Sequence, residues 1–119
     1  MVLSRTELKP KLRRVSILGS TGSIGCNTLD LIERNPDKYS VDVLTANSNF
    51  ELLAKQAIST NAKFVAIGDE RFYNPLKKAL SGIKIEIGAG KNGILEAASR
   101  PVDWVMSGIV GAAGLRPTI

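Results

Sequence analysis

The sequence has no histidine and a single cysteine, Cys26, among its 119 residues. One cysteine cannot form a disulfide within the chain, and without histidine there is neither a Ser-His-Asp triad nor a Cys-His pair. The usual cysteine and histidine ligands of a zinc site are missing as well. The residues of this chain therefore exclude several classes of hydrolase and of zinc protein.

The sequence also lacks a long hydrophobic run. No stretch approaches the roughly 18 apolar residues of a membrane helix, and the N-terminus has no apolar core of a secretory signal. Apolar residues make up 44% of the chain and charged residues 23%, a composition typical of a single globular domain. We expect a cytoplasmic protein with no membrane partner.

Positive charge is concentrated at the N-terminus. The net charge is +5, and the basic residues of segment 1–14 are opposed only by Glu7, whereas residues 15–119 are almost neutral. A nearly neutral domain is not typical of nucleic-acid binding, and we expect no nucleic-acid partner. We divide the chain into a basic arm, residues 1–13, and a domain, residues 14–119.

Short apolar runs alternate with segments of helical spacing along the domain. The pattern predicts an α/β fold with a Rossmann-like, doubly wound and mainly parallel sheet. The chain stops partway through a strand–helix unit, so we expect the sheet to be incomplete at its C-terminal end. The predicted strands are Val15–Leu18, Val41–Ala46, Phe64–Ile67, Ile83–Ile87 and Val102–Met106; the predicted helices are Ser23–Arg34, Phe50 to about Ser59, a helix after an Asp69 cap to about Leu80, and Asn92–Ser99.

A glycine-rich loop lies between the first predicted strand and the first predicted helix. Residues 19–25 read Gly-Ser-Thr-Gly-Ser-Ile-Gly. Glycines permit a tight turn and a close approach of the backbone to a bulky anion, and the last glycine is predicted to let the helix pack against the sheet. The following helix directs unpaired N–H groups at the same space. The hydroxyls of Ser20, Thr21 and Ser23 are further candidate donors. We therefore predict that the loop binds a dinucleotide; a tight connection without a ligand is the alternative. The Gly-Lys-Ser/Thr of a nucleoside triphosphatase loop is absent.

The end of the second predicted strand bears on which dinucleotide is bound. A carboxylate there selects the free ribose of NAD, but Asn47, Ser48 and Asn49 occupy these positions, and Asp42 lies within the strand. The absence of a carboxylate that would repel a 2′-phosphate favours NADP. Because no Arg or Lys is present to bind that phosphate, the predicted preference depends on hydrogen bonds from Asn47, Ser48 and Asn49. An ordinary polar turn with a helix cap at Asn49 is the alternative interpretation.

Other candidate residues carry weaker signals. A second glycine cluster, Gly108–Gly114, follows the last predicted strand and could contact the nicotinamide or simply pack a helix closely against the sheet. Trp104 and Met106 are predicted to be core or interface residues. Cys26 lies in the first turn of a helix but has no base beside it.

Together these residues resemble a known family. The sequence from about residue 13 to its end looks like the N-terminal NADPH-binding domain of the 1-deoxy-D-xylulose 5-phosphate reductoisomerase family. The combination of the first glycine loop with the second glycine run is more specific than either alone. The matching segments are residues 15–25, Thr28-Leu29-Asp30, Asn35-Pro36, Ile109–Leu115 and Pro117-Thr118.

The resemblance implies a function and a set of binding residues. It implies that Thr21, Gly22, Ser23 and Ile24 bind the pyrophosphate of NADPH and that Asn49 binds near its adenosine end. The family often has glycine and a basic residue where this chain has Asn47 and Ser48.

The resemblance also implies residues that lie beyond this chain. The family rearranges and then reduces 1-deoxy-D-xylulose 5-phosphate to 2-C-methyl-D-erythritol 4-phosphate in non-mevalonate isoprenoid biosynthesis, and it forms homodimers. Its catalytic residues, its Mg²⁺ or Mn²⁺ ligands and its contacts to the sugar phosphate follow the segment present here, so no catalytic or metal residue is expected in this chain. Two alternatives remain at this stage: the cofactor domain of another NADP-dependent reductase, and a dinucleotide-sensing module without catalytic activity.

Overall fold

A computed structural model describes residues 12–107 as a sheet with helices. The second glycine cluster, Gly108–Gly114, lies outside the described residues. None of the helices within residues 12–107 has the length and hydrophobicity required to span a bilayer. The strands are β1 (Arg13–Leu18), β2 (Tyr39–Ala46), β3 (Phe64–Ile67), β4 (Glu86–Ala89) and β5 (Trp104–Ser107); the helices are α1 (Ser23–Glu33), α2 (Phe50–Thr60), α3 (Tyr73–Ala79) and α4 (Gly90–Ser99), with a 3₁₀ turn at Glu70–Phe72.

The described strands form one parallel sheet in the order β4-β3-β2-β1-β5. From β1 the chain proceeds outward through β2, β3 and β4, and then returns across the sheet to place β5 on the other side of β1. The direction of winding therefore reverses at β1, and in open parallel sheets such a reversal marks the place where ligands bind. The predicted parallel α/β fold is confirmed.

Helices cover both faces of the sheet. The larger apolar cluster contains Leu29 of α1, Leu53 of α2 and Leu76 of α3, all buried against one face. A smaller cluster on the opposite face contains Phe64 of β3 and Ala97 of α4. The helix α4 accompanies the return crossing, so the sheet is doubly wound as the alternating pattern predicts.

The predicted helix after Asp69 is divided into two pieces. The side chain of Asp69 accepts a hydrogen bond from the Arg71 N–H (3.1 Å) and caps a 3₁₀ turn, and α3 begins afresh at Tyr73. Pro75 explains the break. A proline has no N–H to donate to the carbonyl four residues earlier, as the interior of a helix requires, whereas the N–H groups of the first turn make no such hydrogen bond. Restarting the helix at Tyr73 places Pro75 in that first turn.

Strand β4 lies closer to the C-terminus than the predicted strand Ile83–Ile87. The turn after α3 extends to Ile83, whose N–H donates to the Leu80 carbonyl (3.0 Å), and Gly82 in this turn has a φ of +84°. Pairing with β3 starts only at Glu86, which lies opposite Phe64. Of the alternating isoleucines that predicted a strand, Ile83 therefore lies in the turn, and only Ile87 lies in β4.

Both edges of β1 are fixed near its start. Arg13, the last residue of the predicted arm, already lies in β1 and donates its N–H to the Lys38 carbonyl (2.9 Å). Its guanidinium lies 4.9 Å from the ring centre of Trp104, which is 39% exposed. Arg14 donates two hydrogen bonds to a carboxylate oxygen of Asp42, at 2.7 and 3.0 Å. Asp42 is thereby held by a partner on the neighbouring strand and does not reach the carboxyl end of β2.

Candidate functional site

The glycine loop begins with a turn that only glycine adopts easily. Gly19 has a φ of +78°, in the left-handed region. Its N–H donates to the carbonyl and to the hydroxyl of Thr45 in β2, at 3.1 and 3.0 Å. The loop is therefore anchored on the neighbouring strand as soon as it leaves β1.

The third glycine of the motif lets α1 approach the loop itself. A Cβ on Gly25 would overlap the Gly19 carbonyl oxygen and would lie 2.7 Å from the Cα of Ser20. These are backbone atoms that cannot move aside as the end of a flexible side chain can. The sequence predicts that this glycine serves packing of the helix on the sheet; in the structure the close contact is with the loop, and it fixes where the helix begins.

The start of α1 presents unused backbone donors. Gly22 is the N-cap, with extended backbone angles, and the first hydrogen bond of the helix runs from the Cys26 N–H to the Gly22 carbonyl (2.8 Å). The N–H groups of Ser23, Ile24 and Gly25 therefore have no partner within the helix, as in the first turn of any α-helix. Gly22, Ser23 and Ile24 are exposed. These amides, with the positive end of the helix dipole, suit an anion such as a pyrophosphate.

Ser20 does not contribute its hydroxyl to this surface, contrary to the expectation from sequence. It is completely buried, and its Oγ donates to the side-chain oxygen of Gln56 in α2 (2.7 Å). The Gln56 amide donates in return to the Ser20 carbonyl (2.9 Å). A buried side-chain amide needs partners of this kind, and Ser20 supplies two of them. Ser20 therefore holds the loop from beneath.

A cleft of about 440 Å³ opens above the carboxyl ends of β1, β2 and β3. Of the residues predicted to bind a cofactor, Thr21, Gly22 and Asn47 line it, whereas Ser23, Ile24, Ser48 and Asn49 lie outside its lining. Gly19 also lines the cleft and belongs to the predicted loop, whereas the sequence analysis did not propose a binding role for the other four lining residues, Thr45, Ala46, Gly68 and Ile94. The full lining is Gly19, Thr21, Gly22, Thr45, Ala46, Asn47, Gly68 and Ile94.

Of the lining residues that the sequence analysis missed, Gly68 could have been predicted from the sequence, whereas Ile94 could not. Gly68 directly follows the buried strand β3, and the rule that ligands bind at the carboxyl ends of parallel strands would have selected it. A Cβ on Gly68 would lie 2.9 Å from the side-chain oxygen of Asn47, so the absence of a side chain there makes room for Asn47. Ile94 belongs to α4, and its place in the cleft depends on the crossing of that helix to the second face.

The segment after β2 combines a helix cap with free donors. The side-chain oxygen of Asn49 accepts a hydrogen bond from the Leu52 N–H (3.2 Å), which makes Asn49 the N-cap of α2, as one of the two interpretations of the sequence had it. Its Nδ2 group makes no hydrogen bond within residues 12–107. Asn47, Ser48 and Asn49 are all exposed. The cap and a binding role are therefore compatible in the same side chain.

Two further observations bear on catalysis. Cys26 lies half-buried in α1, where its thiol contacts the Thr21 carbonyl (3.6 Å) and the Gln56 amide (3.7 Å). Within residues 12–107 there is no group of three or more Cys, Asp or Glu side chains that could hold a metal ion.

The sequence matches one family of known proteins over almost the whole domain. The family model of 1-deoxy-D-xylulose 5-phosphate reductoisomerase matches residues 15–119. The proteins of that name from Rhodopseudomonas palustris strains BisA53 and BisB18 are 51% and 52% identical to the chain over 108 residues, or 91% of its length. The same alignments cover 26% of each relative, so the chain spans about a quarter of the length of these relatives.

Solved structures agree with the sequence matches. The reductoisomerase of Zymomonas mobilis in complex with NADPH superimposes with a TM-score of 0.83 and 52% identity, covering 87% of this chain and 27% of that one. A reductoisomerase in complex with NADPH, fosmidomycin and magnesium superimposes with a TM-score of 0.79 and 34% identity, covering 87% and 26%. The chain belongs to the 1-deoxy-D-xylulose 5-phosphate reductoisomerase family.

Proposed function

We propose that the domain, predicted at residues 14–119 and beginning with Arg13 of β1, forms the NADPH-binding part of a 1-deoxy-D-xylulose 5-phosphate reductoisomerase, preceded by the basic arm. One observation supports this most directly: the cleft lies at the carboxyl end of β1, where the direction of winding reverses, and Gly22, the N-cap next to the unused amides of α1, lines it. A dinucleotide needs this combination of an open crevice and a set of backbone donors.

The proposal assigns a task to each part of the site. The backbone N–H groups of Ser23 and Ile24 bind the pyrophosphate. Gly22, whose own N–H donates to the Gly19 carbonyl (3.4 Å), lines the cleft beside them, and Thr21 adds a hydroxyl at the cleft wall. Asn47, Ser48 and Asn49 bind the ribose that carries the 2′-phosphate, through exposed side chains on the adjacent strand end. The Gly19 turn and the contact at Gly25 hold the amides in place before the cofactor arrives, which reduces the entropy lost on binding.

The activity of the whole protein is proposed from its family. It would convert 1-deoxy-D-xylulose 5-phosphate to 2-C-methyl-D-erythritol 4-phosphate by rearrangement and reduction, with NADPH supplying the hydride. The described residues offer no metal-ligand group, and we assign Mg²⁺ or Mn²⁺, the sugar phosphate and the catalytic side chains to residues outside this chain. We further propose that the whole protein is a cytoplasmic homodimer.

Calorimetric titration of the chain with NADPH and, separately, with NADH tests the proposal. We expect both nucleotides to bind and NADPH to bind more tightly. In the variant Gly22→Val we expect NADPH affinity to fall at least about tenfold, because the new side chain would occupy the cleft wall. Gly22 has extended backbone angles (φ −77°, ψ 172°) that valine adopts without strain, so the variant keeps its fold.

Circular dichroism provides the control for folding in both proteins. If the folded wild-type chain bound neither nucleotide, the glycine loop would be a structural connection and the proposal would be wrong. Equal NADPH affinity in wild type and Gly22→Val would show that the nucleotide binds elsewhere on the surface. The activity of the whole protein is tested separately, by loss of NADPH absorbance when 1-deoxy-D-xylulose 5-phosphate and Mg²⁺ are added to it.

A further inference from the structure

The proposed 2′-phosphate region lacks a cation in the segment where one is usually found. An NADP site usually places an arginine beside the 2′-phosphate, but residues 47–49 after β2 carry no charge. The loop over residues 19–22 after β1 carries none either. Hydrogen bonds from neutral side chains are weaker than charge-assisted ones. The source of any preference for NADPH must therefore be sought on a neighbouring element.

The turn after β3 is bonded directly to the segment after β2. The N–H of Asp69 donates to the Asn47 carbonyl, and the N–H of Gly68 donates to the Ala46 carbonyl, both at 2.8 Å. The rings of Phe50 and Phe72 stack with their centres 5.6 Å apart and an angle of 20° between their planes. The 3₁₀ turn and the first residue of α2 are thus held together on the side of the sheet where the 2′-phosphate would lie.

Arg71 lies in this turn and is held in a defined position. Its Nε donates to the Asp69 carboxylate at 3.0 Å, and its Nη2 donates to the other oxygen at 2.7 Å. The guanidinium lies 5.6 Å from the ring centre of Phe72. The Nη1 group makes no hydrogen bond within residues 12–107, and the side chain is 82% exposed. A guanidinium has a planar fork, so one edge binds Asp69 while the other remains available.

The charges nearby are consistent with an anion at Arg71. The Arg71 guanidinium lowers the pKa of Asp69 below its usual value, chiefly through their side-chain hydrogen bond, so this carboxylate is ionised and paired. Glu70 extends its carboxylate toward Gly90 at the start of α4, on the side of β4. Among the few described residues that directly follow β1, β2, β3 and β4, the cations are Arg71 after β3 and Lys91 after β4. Strand β4 pairs with β3 and not with β2, so Lys91 follows a strand that is not adjacent to residues 47–49.

We infer that Arg71 is the specificity-determining residue for NADPH over NADH in this chain, binding the 2′-phosphate through its free Nη1 edge beside residues 47–49. This inference rests on the proposed function. In this inference the positive charge that residues 47–49 after β2 lack is supplied by Arg71 in the turn after β3. The Asp69 carboxylate orients the Arg71 guanidinium.

Calorimetric titration of the 119-residue chain with NADPH and NADH tests the inference in three variants. In Arg71→Ala we expect the dissociation constant for NADPH to rise about tenfold and that for NADH to stay within about twofold of wild type. In Arg71→Lys, which keeps the charge but loses the fork, we expect an intermediate NADPH affinity. Lys78→Ala is the matched control, because Lys78 is an equally charged and exposed residue of α3, and it should change neither constant.

The outcomes separate this inference from the proposed function. If wild type binds NADPH more tightly than NADH and Arg71→Ala preserves that ratio, the inference is overturned while the proposed function stands. An equal loss of both nucleotides in Arg71→Ala would also overturn it, since a role in holding the turn would not distinguish the 2′-phosphate. Failure of the folded wild-type chain to bind either nucleotide would overturn both. A second readout is salt: rising ionic strength should weaken NADPH binding more in wild type than in Arg71→Ala.

Discussion

At the scale of single residues, the shape of the glycine loop depends on a contact beneath it. Ser20 and Gln56 exchange two hydrogen bonds in a region closed to water, Ser20 being completely buried and Gln56 only 7% exposed. The contact joins the loop to α2, an element from the next strand–helix unit. The position of the loop amides is thus set by a side chain more than thirty residues away in sequence.

We predict that Gln56→Met destabilises the chain and weakens NADPH binding together. Methionine has a similar volume but cannot pair with the hydroxyl and carbonyl of Ser20. The carbonyl then loses the Gln56 amide and the hydroxyl keeps only the Thr45 carbonyl, at 3.4 Å, which should lower the free energy of unfolding by about 1–3 kcal/mol. Urea unfolding measures this loss. NADPH affinity should fall because the loop amides lose their support.

The neighbouring position provides the control for this prediction. Lys55 is exposed on the same helix, so Lys55→Met should change stability by no more than about 0.5 kcal/mol and leave NADPH affinity unchanged. If Gln56→Met were as stable as Lys55→Met, the buried contact would contribute nothing to the fold.

Single residues also show what the sequence could and could not reveal about the site. The glycines were predictable, because a glycine after a buried strand has few physical explanations: Gly19 needs its positive φ and Gly25 its missing Cβ. Gln56 was not predictable, since a polar residue in an amphipathic helix is usually exposed. Its burial follows from a partner on a distant loop, and a pattern within one helix does not contain that information.

At the scale of elements, Asn49 combines two tasks that a substitution can separate. Its oxygen caps α2, and its amide nitrogen, which makes no hydrogen bond to any of residues 12–107, is proposed to bind the cofactor. We predict that Asn49→Asp keeps the stability of the chain, because aspartate caps a helix as well as asparagine and its charge suits the N-terminus. The same variant should bind NADPH about tenfold more weakly, since it places a carboxylate beside the 2′-phosphate, and NADH affinity should not fall.

Asn49→Ala serves as the comparison for the cap. It removes the acceptor for the Leu52 N–H and should lower the free energy of unfolding by about 1 kcal/mol. Urea unfolding and calorimetric titration are carried out on both variants. Unchanged NADPH affinity in Asn49→Asp would show that Asn49 is a cap and nothing more.

The boundaries of elements were predictable where local chemistry decides them. The buried run Phe64–Ile67 was predicted with its observed ends, and α2 begins after its asparagine cap as expected. The break before α3 was also present in the sequence, as Pro75, but was not recognised. The start of β4 was not readable from its isoleucines, because pairing with β3 and the turn at Gly82 determine where the strand begins.

At the scale of the whole molecule, the cleft exists only when several elements are assembled. Its walls come from the ends of three strands and from Ile94 of α4, which reaches it by crossing to the second face of the sheet. Alternation of strands and helices predicted a parallel sheet, but the order of the strands is not written in that alternation. The place of β5 beside β1 creates the reversal of winding, and a right-handed connection then puts α4 on the second face of the sheet.

Binding to a surface assembled in this way must stabilise the entire folded chain. We predict that NADPH at a hundred times its dissociation constant adds about 2.7 kcal/mol to the free energy of unfolding. For a domain of about 100 residues this corresponds to a rise in the unfolding midpoint on the order of 10–20 °C, measurable by circular dichroism at increasing temperature. In Gly22→Val the midpoint without ligand should stay near that of wild type, and the same NADPH concentration should raise it by no more than about half as much, because a tenfold loss of affinity leaves about 1.4 kcal/mol of stabilisation. If NADPH did not change the unfolding midpoint of the folded wild-type chain, the assembled cleft would not bind the nucleotide. A ligand that binds only the native state must shift the folding equilibrium toward the native state.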